Sequence, residues 1–305
     1  MNRNTIKRWI ENPWRIGKSL AQRGWLKYLP DKAYLSILYR ATLNKKINWD
    51  APKTFNEKLQ WLKVYDRNPV YCTMVDKYEA KQYASERIGD GYIVPVLGGP
   101  WSSFDEIDFD LLPDQFVLKT THDCGGVVIC KDKRSFNIPE ARQFLEKHLR
   151  QNYYYNHREW PYKDIKPRIF AEKYLSDLAF DDLMDYKFFC FNGVPKLMFI
   201  ATERQSKEQE TKFDFFDMDF NHMPIINGHP NSSRTITKPV NFERMKELAA
   251  ILSTGIPHVR VDFYESNGQL YLGELTFSHW SGFVPFEPKE WDEILGSWIR
   301  LPDRE

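Results

Sequence analysis

Cysteine, long apolar runs and net charge are all scarce in this 305-residue sequence. Its four cysteines form no Cys-x-x-Cys pair, so the pattern indicates no zinc site, and reduced thiols are expected. No apolar run approaches the roughly 20 residues that a membrane-spanning helix needs, and charges and Pro13 interrupt the region of a signal-peptide core. The net charge of +1 argues against a nucleic-acid partner. We therefore expect a cytoplasmic protein.

The motifs of several common enzyme classes are absent as well. The seven histidines are scattered, with no His-Glu-x-x-His or His-x-His pair, and no Gly-x-Ser-x-Gly occurs. What the chain does have is aromatic side chains, at 15% of all residues. This content is typical of a well-packed globular protein with aromatic-lined surfaces, and it excludes disorder as the main state.

The most informative stretch lies near the C-terminus, where residues 257–264 and 270–277 have strand composition around a Ser-Asn-Gly turn. In such a hairpin Asp262 and Glu274 can lie side by side on one face, and Arg260 points to the same face as Asp262. Two like charges repel unless a cation lies between them. An arginine beside two carboxylates suits Mg²⁺-dependent phosphoryl chemistry, whereas solvated charges on a surface hairpin are the alternative.

A second unit combines two predicted strands, residues 116–120 and 127–130, with a loop that contains Gly125 and Gly126. A strand follows these glycines, which differs from a P-loop or dinucleotide fingerprint, where a helix follows. Glycines between strands let backbone N–H groups approach phosphate oxygens closely, and Lys119 would add a positive charge beside them. An ordinary hairpin is the alternative.

The rest of the chain alternates predicted helices and strands without an internal repeat. Thr54 and Glu57 form a capping box that opens one helix, and residues 76–88 are predicted as another, ended by Gly89-Asp90-Gly91. Further helices are expected at residues 139–150 and 241–252, and strands at 169–175, 186–191, 195–201 and 213–219.

The first 28 residues are rich in basic and aromatic side chains. Seven Lys and Arg residues face a single acid, Glu11, and tryptophans are interleaved with them. The pattern predicts either an interfacial segment that rests on an anionic membrane or a helix that docks its apolar stripe on the body of the protein. In the first case the protein would be peripheral on the inner face of the membrane, and deleting residues 1–28 would release it. The basic residues are Arg3, Lys7, Arg8, Arg15, Lys18, Arg23 and Lys27.

In their order, these segments resemble the ATP-grasp superfamily, and more narrowly the TupA-like ATP-grasp group, which is linked to teichuronopeptide and capsular polysaccharide synthesis. The resemblance covers roughly residues 30–290. It is carried by an Asp-Lys helix start, the strand–lysine–glycine loop–strand unit, a Glu-Lys-Tyr-Leu segment and the Arg-Val-Asp…Glu strand pair, which are Asp76-Lys77, residues 116–130, residues 172–175 and residues 260–274.

The resemblance implies an α+β ATP-grasp fold, in which two antiparallel-sheet lobes with flanking helices enclose ATP, preceded by an N-terminal helical segment. The implied division is a basic aromatic segment, a helical region, a small lobe and a C-terminal lobe with the metal hairpin, at residues 1–28, 29–115, 116–175 and 176–305.

The resemblance also implies residue roles. Two lysines correspond to those that hold the α- and β-phosphates, the Cys-Gly-Gly loop to the lid over them, and the Glu-Lys-Tyr-Leu segment to the one that reads adenine. The implied cofactor-binding residues are Lys77, Lys119, Gly125, Gly126, Glu172, Lys173, Tyr174, Leu175 and Asp182, with Asp177 and Asp181 as the other candidates for a ribose contact. The implied catalytic residues are Arg260, which would stabilise an acyl phosphate, and Lys187; the implied Mg²⁺ ligands are Asp262, Glu274 and Thr276.

The sequence departs from the family pattern in three places. The third metal ligand is usually asparagine, and here it is Thr276, whose hydroxyl is shorter than an amide. The glycine loop is shorter than the usual lid. After Glu274 the common Pro-Gly is replaced by residues 277–282, Phe-Ser-His-Trp-Ser-Gly, so the acceptor end of the site differs from the pattern.

The function implied is an ATP- and Mg²⁺-dependent carboxylate-amine ligase that acts through an acyl phosphate. It would join an amino acid or amine to the uronic-acid carboxylate of a surface polysaccharide or its precursor. Three alternatives stay open: a glycosyltransferase that uses Asp217-Met218-Asp219, a sugar kinase with the same ATP site, and an inactive module that only binds. ATP turnover, its dependence on both a carboxylate and an amine, and release of UDP or GDP would distinguish them.

Overall fold

The structure is a computed structural model that describes residues 14–176, 184–203 and 210–304. Residues 1–13, with three of the seven N-terminal basic residues, and the ribose candidates Asp177, Asp181 and Asp182 lie outside the described residues. Helices and strands follow one another along the described chain, and the strands form two sheets, so the predicted α+β class is confirmed.

The elements are numbered here in chain order, without the short 3₁₀ turns. The helices are α1 (Trp14–Gln22), α2 (Asp31–Leu43), α3 (Phe55–Tyr65), α4 (Val70–Val75), α5 (Glu79–Ile88), α6 (Ile138–Leu149), α7 (Tyr154–His157), α8 (Phe242–Leu252) and α9 (Glu290–Trp298). The strands are β1 (Val96–Trp101), β2 (Phe116–Thr120), β3 (Val127–Cys130), β4 (Ile169–Lys173), β5 (Asp185–Phe191), β6 (Val194–Thr202), β7 (Lys212–Asp217), β8 (His222–Met223), β9 (His258–Ser266) and β10 (Gln269–Thr276).

The smaller sheet has four antiparallel strands in the order β1-β4-β2-β3. Helix α6 packs on it through Ala141 and Leu145, which lie in one apolar cluster with Phe116, Leu118 and Ile169. Because β1 belongs to this sheet, the sheet begins earlier in the chain than the boundary at residue 116 that the sequence suggested.

The larger sheet has six antiparallel strands in the order β10-β9-β5-β6-β7-β8. Helices cover both faces, so every residue of the central strand β5 is buried. Successive side chains of a strand point to opposite faces; Phe188 therefore packs against α8 and Phe189 against α3 and α9. Burial of each such ring stabilises the fold by about 1.5–3 kcal/mol.

Two helix starts were predicted from the sequence, those of α3 and α5. The predicted capping box of Thr54 and Glu57 is present at the start of α3. The prediction of a helix from residue 76 was wrong by three residues, because the Asp76 carboxylate accepts hydrogen bonds from the backbone N–H groups of Tyr78 and Glu79 and α5 begins at Glu79. Lys77 consequently lies in a turn, where its backbone N–H donates to the Thr121 carbonyl at 2.9 Å.

The described part of the N-terminal segment packs on the body and also exposes aromatic rings. Ala21 is buried in a cluster with α2 and Phe283. The guanidinium of Arg158 donates to the backbone carbonyls of residues 26, 27 and 29. Trp25 and Tyr28 are nevertheless 72% and 90% exposed. Among the described helices, none has the length and apolar character needed to cross a bilayer.

Candidate active site

A cleft with an empty volume of about 550 Å³ lies between the two sheets. One wall comes from β2 and β4 of the smaller sheet, the opposite wall from β10 of the larger sheet, and the segment from α4 to α5 closes one side. The lining residues are Met74, Val75, Lys77, Ala80, Lys81, Ile93, Lys119, Tyr162, Phe170, Glu172, Leu272, Gly273, Glu274 and Leu275.

At one end of the cleft, the buried Glu172 carboxylate on β4 holds two lysines. Its Oε1 lies 2.5 Å from Lys119 Nζ and its Oε2 lies 2.8 Å from Lys81 Nζ. Burial by itself would raise the pKa of Glu172, but the two ammonium groups outweigh burial and hold that pKa below its usual range. Burial lowers the pKa of Lys81. The two ammonium groups and the single carboxylate together carry a net charge of about +1 at this end of the cleft.

The predicted lid begins at a tightly bonded turn after β2. The carboxylate of Asp123 accepts a hydrogen bond from Thr120 and contacts His148 Nδ1. The backbone carbonyl of Asp123 accepts a hydrogen bond from Lys77 Nζ. Gly125 has φ 104°, a conformation that favours glycine. A Cβ at Gly126 would meet Thr120 Oγ1 at 1.8 Å. Both glycines are therefore required by the backbone, apart from any contact with phosphate.

At the other end of the cleft, the β9–β10 hairpin brings Asp262 and Glu274 opposite each other, as predicted. The turn is Asn267-Gly268, and near it Leu272 pairs with Phe263. That register alone would place Glu274 opposite Val261, on the wrong face. A bulge at Gly273 shifts the register by one residue, and only beyond it does Glu274 pair with Asp262.

The charges of this end form a compact cluster around fully buried Asp262. Arg260 binds Asp262 through both Nε and Nη2 at 2.7 Å, and Lys187 Nζ on β5 lies 2.5 Å from Asp262 Oδ2. Burial would raise the pKa of Asp262, but Arg260 and then Lys187 hold it below the usual range. Lys187 also pairs with buried Asp185 at 2.7 Å. The carboxylate is therefore ionised, which the chemistry predicted for it requires.

Arg260 is oriented further by a buried histidine. Burial lowers the pKa of His279 well below its usual range, so the ring is neutral. Its Nδ1 accepts from Arg260 Nη1 at 2.7 Å, and its Nε2 donates to Asn227 Oδ1 at 2.8 Å. Arg260 Nη2 also reaches Glu274 Oε1 at 3.2 Å and Thr276 Oγ1 at 3.1 Å. The guanidinium is thereby fixed at the edge of the cleft.

The oxygen atoms around this cluster fit a Mg²⁺ ion. Asp262 Oδ1 accepts one hydrogen bond, and Glu274 Oε2 has none within the described chain, so each carboxylate keeps room for a further partner. Mg²⁺ typically takes one or two carboxylates and completes its shell with water and phosphate. In the residues that the structure covers, no group of three or more His, Cys, Asp or Glu side chains could hold a metal. The donor set is thus the two-carboxylate kind, with Thr276 beside it.

Not every residue assigned from the sequence reaches the cleft. Lys173 at the end of β4 is exposed, and Tyr174 and Leu175 are half-buried after it; none of the three lines the cleft. Of the other assigned residues, the cleft is lined by Lys77, Lys119, Glu172 and Glu274 but not by Gly125, Gly126, Lys187, Arg260, Asp262 or Thr276. The structure adds Lys81, Tyr162 and His279, which the sequence analysis did not assign.

The Asp-Met-Asp sequence of the glycosyltransferase alternative lies in the turn between β7 and β8. The Asp217 carboxylate there accepts hydrogen bonds from the backbone N–H groups of Asp219 and Asn221 and from the Asn221 side chain. These bonds close the turn locally, and neither aspartate lines the cleft. The motif is therefore explained by turn geometry.

Two antiparallel sheets enclose a cleft, one with lysines and a glycine loop and the other with an arginine–carboxylate hairpin; together they define an ATP-grasp fold. The chain belongs to the TupA-like ATPgrasp family, whose profile matches residues 57–300. The predicted family and fold are thus confirmed. No match to a curated protein was found.

Solved structures similar to this chain include D-alanine–D-alanine ligase from Bacillus anthracis complexed with ATP, at 16% identity and a TM-score of 0.40 over 67% of this chain and 54% of that one. L-Amino acid ligase from Bacillus licheniformis matches at 10% identity and a TM-score of 0.46, over 82% and 55%. N5-carboxyaminoimidazole synthase from Aspergillus clavatus, in complex with ADP and 5-aminoimidazole ribonucleotide, matches at 14% identity and a TM-score of 0.40. The match covers 72% of this chain and 47% of that one. The chain spans about half the length of these proteins.

The bulge yields a testable prediction for Gly273→Ala. A Cβ at Gly273 would lie 2.7 Å from the Tyr264 ring and 3.2 Å from the Asp262 carbonyl, so the hairpin must shift. We expect the free energy of unfolding to fall by about 1–3 kcal/mol, the usual cost of overpacking. Urea denaturation measures it. Gly91→Ala is the control, because a Cβ there meets nothing within 4 Å. Equal midpoints for the two variants would contradict the constraint assigned to Gly273.

Proposed function

We propose that the protein is an ATP- and Mg²⁺-dependent carboxylate-amine ligase of cell-surface polysaccharide biosynthesis. One observation carries the proposal. In a chain of the TupA-like ATPgrasp family, one cleft holds two lysines paired with Glu172 and, on its opposite wall, Glu274, which pairs with Asp262 and contacts Arg260. Such a cleft has cations for a polyphosphate at one end and a fixed guanidinium for a transferred phosphoryl group at the other.

At the lysine end, Glu172 would present Lys81 and Lys119 to the α- and β-phosphates. Both ammonium groups are mostly buried and already ordered by the carboxylate, so little side-chain entropy is lost when phosphate oxygens arrive. Lys77 would join them by leaving the Asp123 carbonyl, and Gly125 and Gly126 would cover the phosphates. Of residues 172–175, which the resemblance assigns to adenine, only Glu172 lines the cleft, so the proposed adenine contact falls to Glu172. Asp182 or a neighbouring aspartate would contact the ribose.

At the arginine end, the chain's own residues would position the reacting groups. Arg260 is held by Asp262 and His279 and keeps its outer edge towards Glu274, so it would bind the γ-phosphoryl group and then the acyl phosphate without rearranging. Lys187 would add a second positive charge. Asp262, Glu274 and Thr276 would hold Mg²⁺, which when bound neutralises phosphate charge. The two sheets on either side would exclude water, which otherwise hydrolyses an acyl phosphate.

The substrates follow from the family rather than from the cleft. TupA-like proteins are linked to polysaccharides that carry uronic acids, whose carboxylate would be activated, and the co-substrate would be an amino acid or another amine. Formation of ADP that requires both a carboxylate and an amine would support the ligase. ADP formation with a sugar alone would instead indicate the kinase, and release of UDP or GDP the glycosyltransferase.

The lysine cluster predicts which substitutions weaken ATP binding. Lys81→Met and Lys119→Met each remove a charge-assisted hydrogen bond of about 1.5–3 kcal/mol, which corresponds to a Kd for Mg²⁺-ATP at least about tenfold higher. Isothermal titration calorimetry measures the Kd. Lys196→Met is the matched control, because Lys196 is exposed on β6 and lies outside the cleft. Wild-type affinity in both cleft variants, or binding of a nucleotide sugar in place of ATP, would refute the nucleotide site.

The carboxylate pair predicts different outcomes for its two members. The Glu274 side chain is 40% exposed, so Glu274→Gln is expected to fold and to lose ATP turnover by about 10²-fold, as when a preorganised charge-stabilising group is removed. Asp262→Asn would leave buried Arg260 without its two-bonded anion, with only Asp185 left beside Lys187, and a loss of about 3–5 kcal/mol in unfolding free energy is expected. Thermal melting and ADP release are the measurements.

The control for the pair is Glu293→Gln, a solvent-exposed glutamate on α9. It should leave both melting temperature and turnover unchanged. Full turnover in Glu274→Gln would mean that this carboxylate is structural.

We also propose that the N-terminal segment rests on an anionic membrane. Two features support this placement. Trp25 and Tyr28 are exposed although Arg158 fixes the backbone beside them, so their rings are held outwards. Lys18, Arg23 and Lys27 lie on the same short stretch, and each basic residue near an anionic surface contributes about 1 kcal/mol. Interfacial Trp and Tyr rings add a hydrophobic term.

This placement predicts that Trp25→Ser with Tyr28→Ser reduces sedimentation with phosphatidylserine-containing vesicles several-fold at low salt, without a change in melting temperature. The control pair is Leu111→Ser with Val240→Ser, which removes side chains that are 81% and 95% exposed elsewhere. Added salt should release the wild type, since surface charges are screened. A wild type that ignores anionic vesicles would refute the membrane contact.

A further inference from the structure

A second groove follows the outer edge of the smaller sheet and shares no lining residue with the cleft. Its empty volume is about 1090 Å³, and strand β3 and helix α6 form its walls. Four large apolar side chains on these two elements are 37–44% exposed, and exposed apolar groups gathered in one patch usually mark a contact surface. They are Val127, Ile129, Ile138 and Phe144.

The backbone of β3 is able to pair with a further strand. β3 ends the strand order of the smaller sheet, so of the strands that the structure describes only β2 pairs with it. Ladder hydrogen bonds alternate along an antiparallel pair. The Thr120 N–H donates to the Gly126 carbonyl at 2.8 Å, so the bonds to β2 continue at residues 128 and 130. Ile129 therefore directs its N–H and its carbonyl to the outer edge, where another extended strand could bind them.

Helix α6 carries a charge pattern that is complementary to itself in reverse. Glu140, Phe144 and Lys147 are spaced by four and three residues, so they lie on one face of the helix. All three are exposed, and the first two line the groove. When two such helices lie antiparallel with their Phe144 rings near a common twofold axis, each Glu140 lies opposite the Lys147 of the other helix. A second copy of this chain would therefore supply the complementary charges.

The strand and the helix require the same twofold arrangement. If β3 pairs antiparallel with β3 of a second copy at Ile129, the two smaller sheets join into one sheet, and both α6 helices lie on the same face of it. α6 packs over β2 and β3, and neighbouring strands are about 4.8 Å apart. The two helix axes would therefore lie roughly 10 Å apart, which is the ordinary spacing of packed helices.

We propose that the protein forms a homodimer through β3 and α6, with the β3 strands paired antiparallel at Ile129. The proposal does not depend on the ligase function. Lys119 lines the cleft and lies directly opposite Val127 in the β2–β3 ladder, and opposite residues of an antiparallel pair share a face. The clefts of the two copies would therefore open on the same face of the joined sheet.

Sedimentation equilibrium of the full chain tests the proposal. The wild type, 36.3 kDa per chain, is expected to sediment as a dimer at micromolar concentration. Ile129→Lys places a charge at the outer edge, which is a common way of blocking edge pairing, and should raise the dimer Kd at least about tenfold. Ile251→Lys on α8 is the matched control, because Ile251 is 43% exposed and Ile129 is 44% exposed. The control should leave the dimer unchanged.

Charge reversal tests the helix contact. Glu140→Lys alone, or Lys147→Glu alone, would set like charges opposite each other and should raise the dimer Kd several-fold. The two substitutions together recreate opposite charges across the axis, so the Kd should return to within about threefold of the wild-type value. Recovery in the double variant also shows that the reversed side chains are compatible with folding. A double variant weaker than both single variants would contradict the helix pairing.

Disulfide trapping tests the strand register. In a chain with Cys124→Ser, which removes an exposed thiol, Ile129→Cys would lie about 5.5 Å from its counterpart between Cα atoms. This distance is within disulfide reach, so oxidation should give a covalent dimer. Val127→Cys is the control, because its counterpart would lie about 13 Å away along the strand, and it should stay uncoupled.

Two results would overturn the proposal. A wild type that stays monomeric at every concentration tested would leave the groove to an extended strand of another protein. A dimer that persists in Ile129→Lys, with no covalent product from Ile129→Cys, would have its interface on another surface.

Discussion

Asp262 is the buried charge on which the arrangement of the larger sheet depends. An unpaired carboxylate with no exposure would cost several kcal/mol, so Asp262 requires Arg260 from its own strand and Lys187 from β5. These contacts fix β5 against β9, and the bulge at Gly273 brings Glu274 to the same place from β10. Three neighbouring strands are thus aligned by one ion cluster. The same alignment puts a guanidinium and two carboxylates at the edge of a cleft, so the groups that stabilise the sheet are the ones proposed to bind phosphate and Mg²⁺.

In the smaller sheet the buried charges that need a partner are two lysines rather than a carboxylate. Lys81 and Lys119 would repel each other inside the cleft, and Glu172 between them makes their burial tolerable. The charged groups at each end of the cleft are therefore ordered by ion pairs. At one end Glu172 binds Lys81 and Lys119, and at the other Arg260 and Lys187 bind Asp262. Ordered charges need little reorganisation when phosphate oxygens replace their present partners, which is the physical basis of electrostatic preorganisation.

The strand composition of β9 and β10 and the turn residues between them predicted the hairpin pair, whereas the fold was predicted from the resemblance of the ordered motifs to the ATP-grasp superfamily. The bulge was not predicted, because a two-residue turn alone places Glu274 opposite Val261. The one local signal for it is Gly273 itself, since a glycine inside a strand often marks a bulge. Lys81 was missed because its role depends on Glu172, which is distant in sequence. An ion pair between residues far apart in the sequence produces no periodic pattern in that sequence.

Arg158 and Glu159 connect the surface of the protein to the interior of the site. Arg158 is almost completely buried and binds the carbonyls of the exposed N-terminal segment, while Glu159, the next residue, binds Ser281 beside the cleft. A displacement of the segment must therefore move the backbone that carries Glu159, because a buried guanidinium with three carbonyl partners cannot be left unsatisfied without a large penalty. If residues 14–28 rest on a bilayer, as proposed, the attached segment is joined to the interior next to Ser281 through two adjacent residues, Arg158 and Glu159.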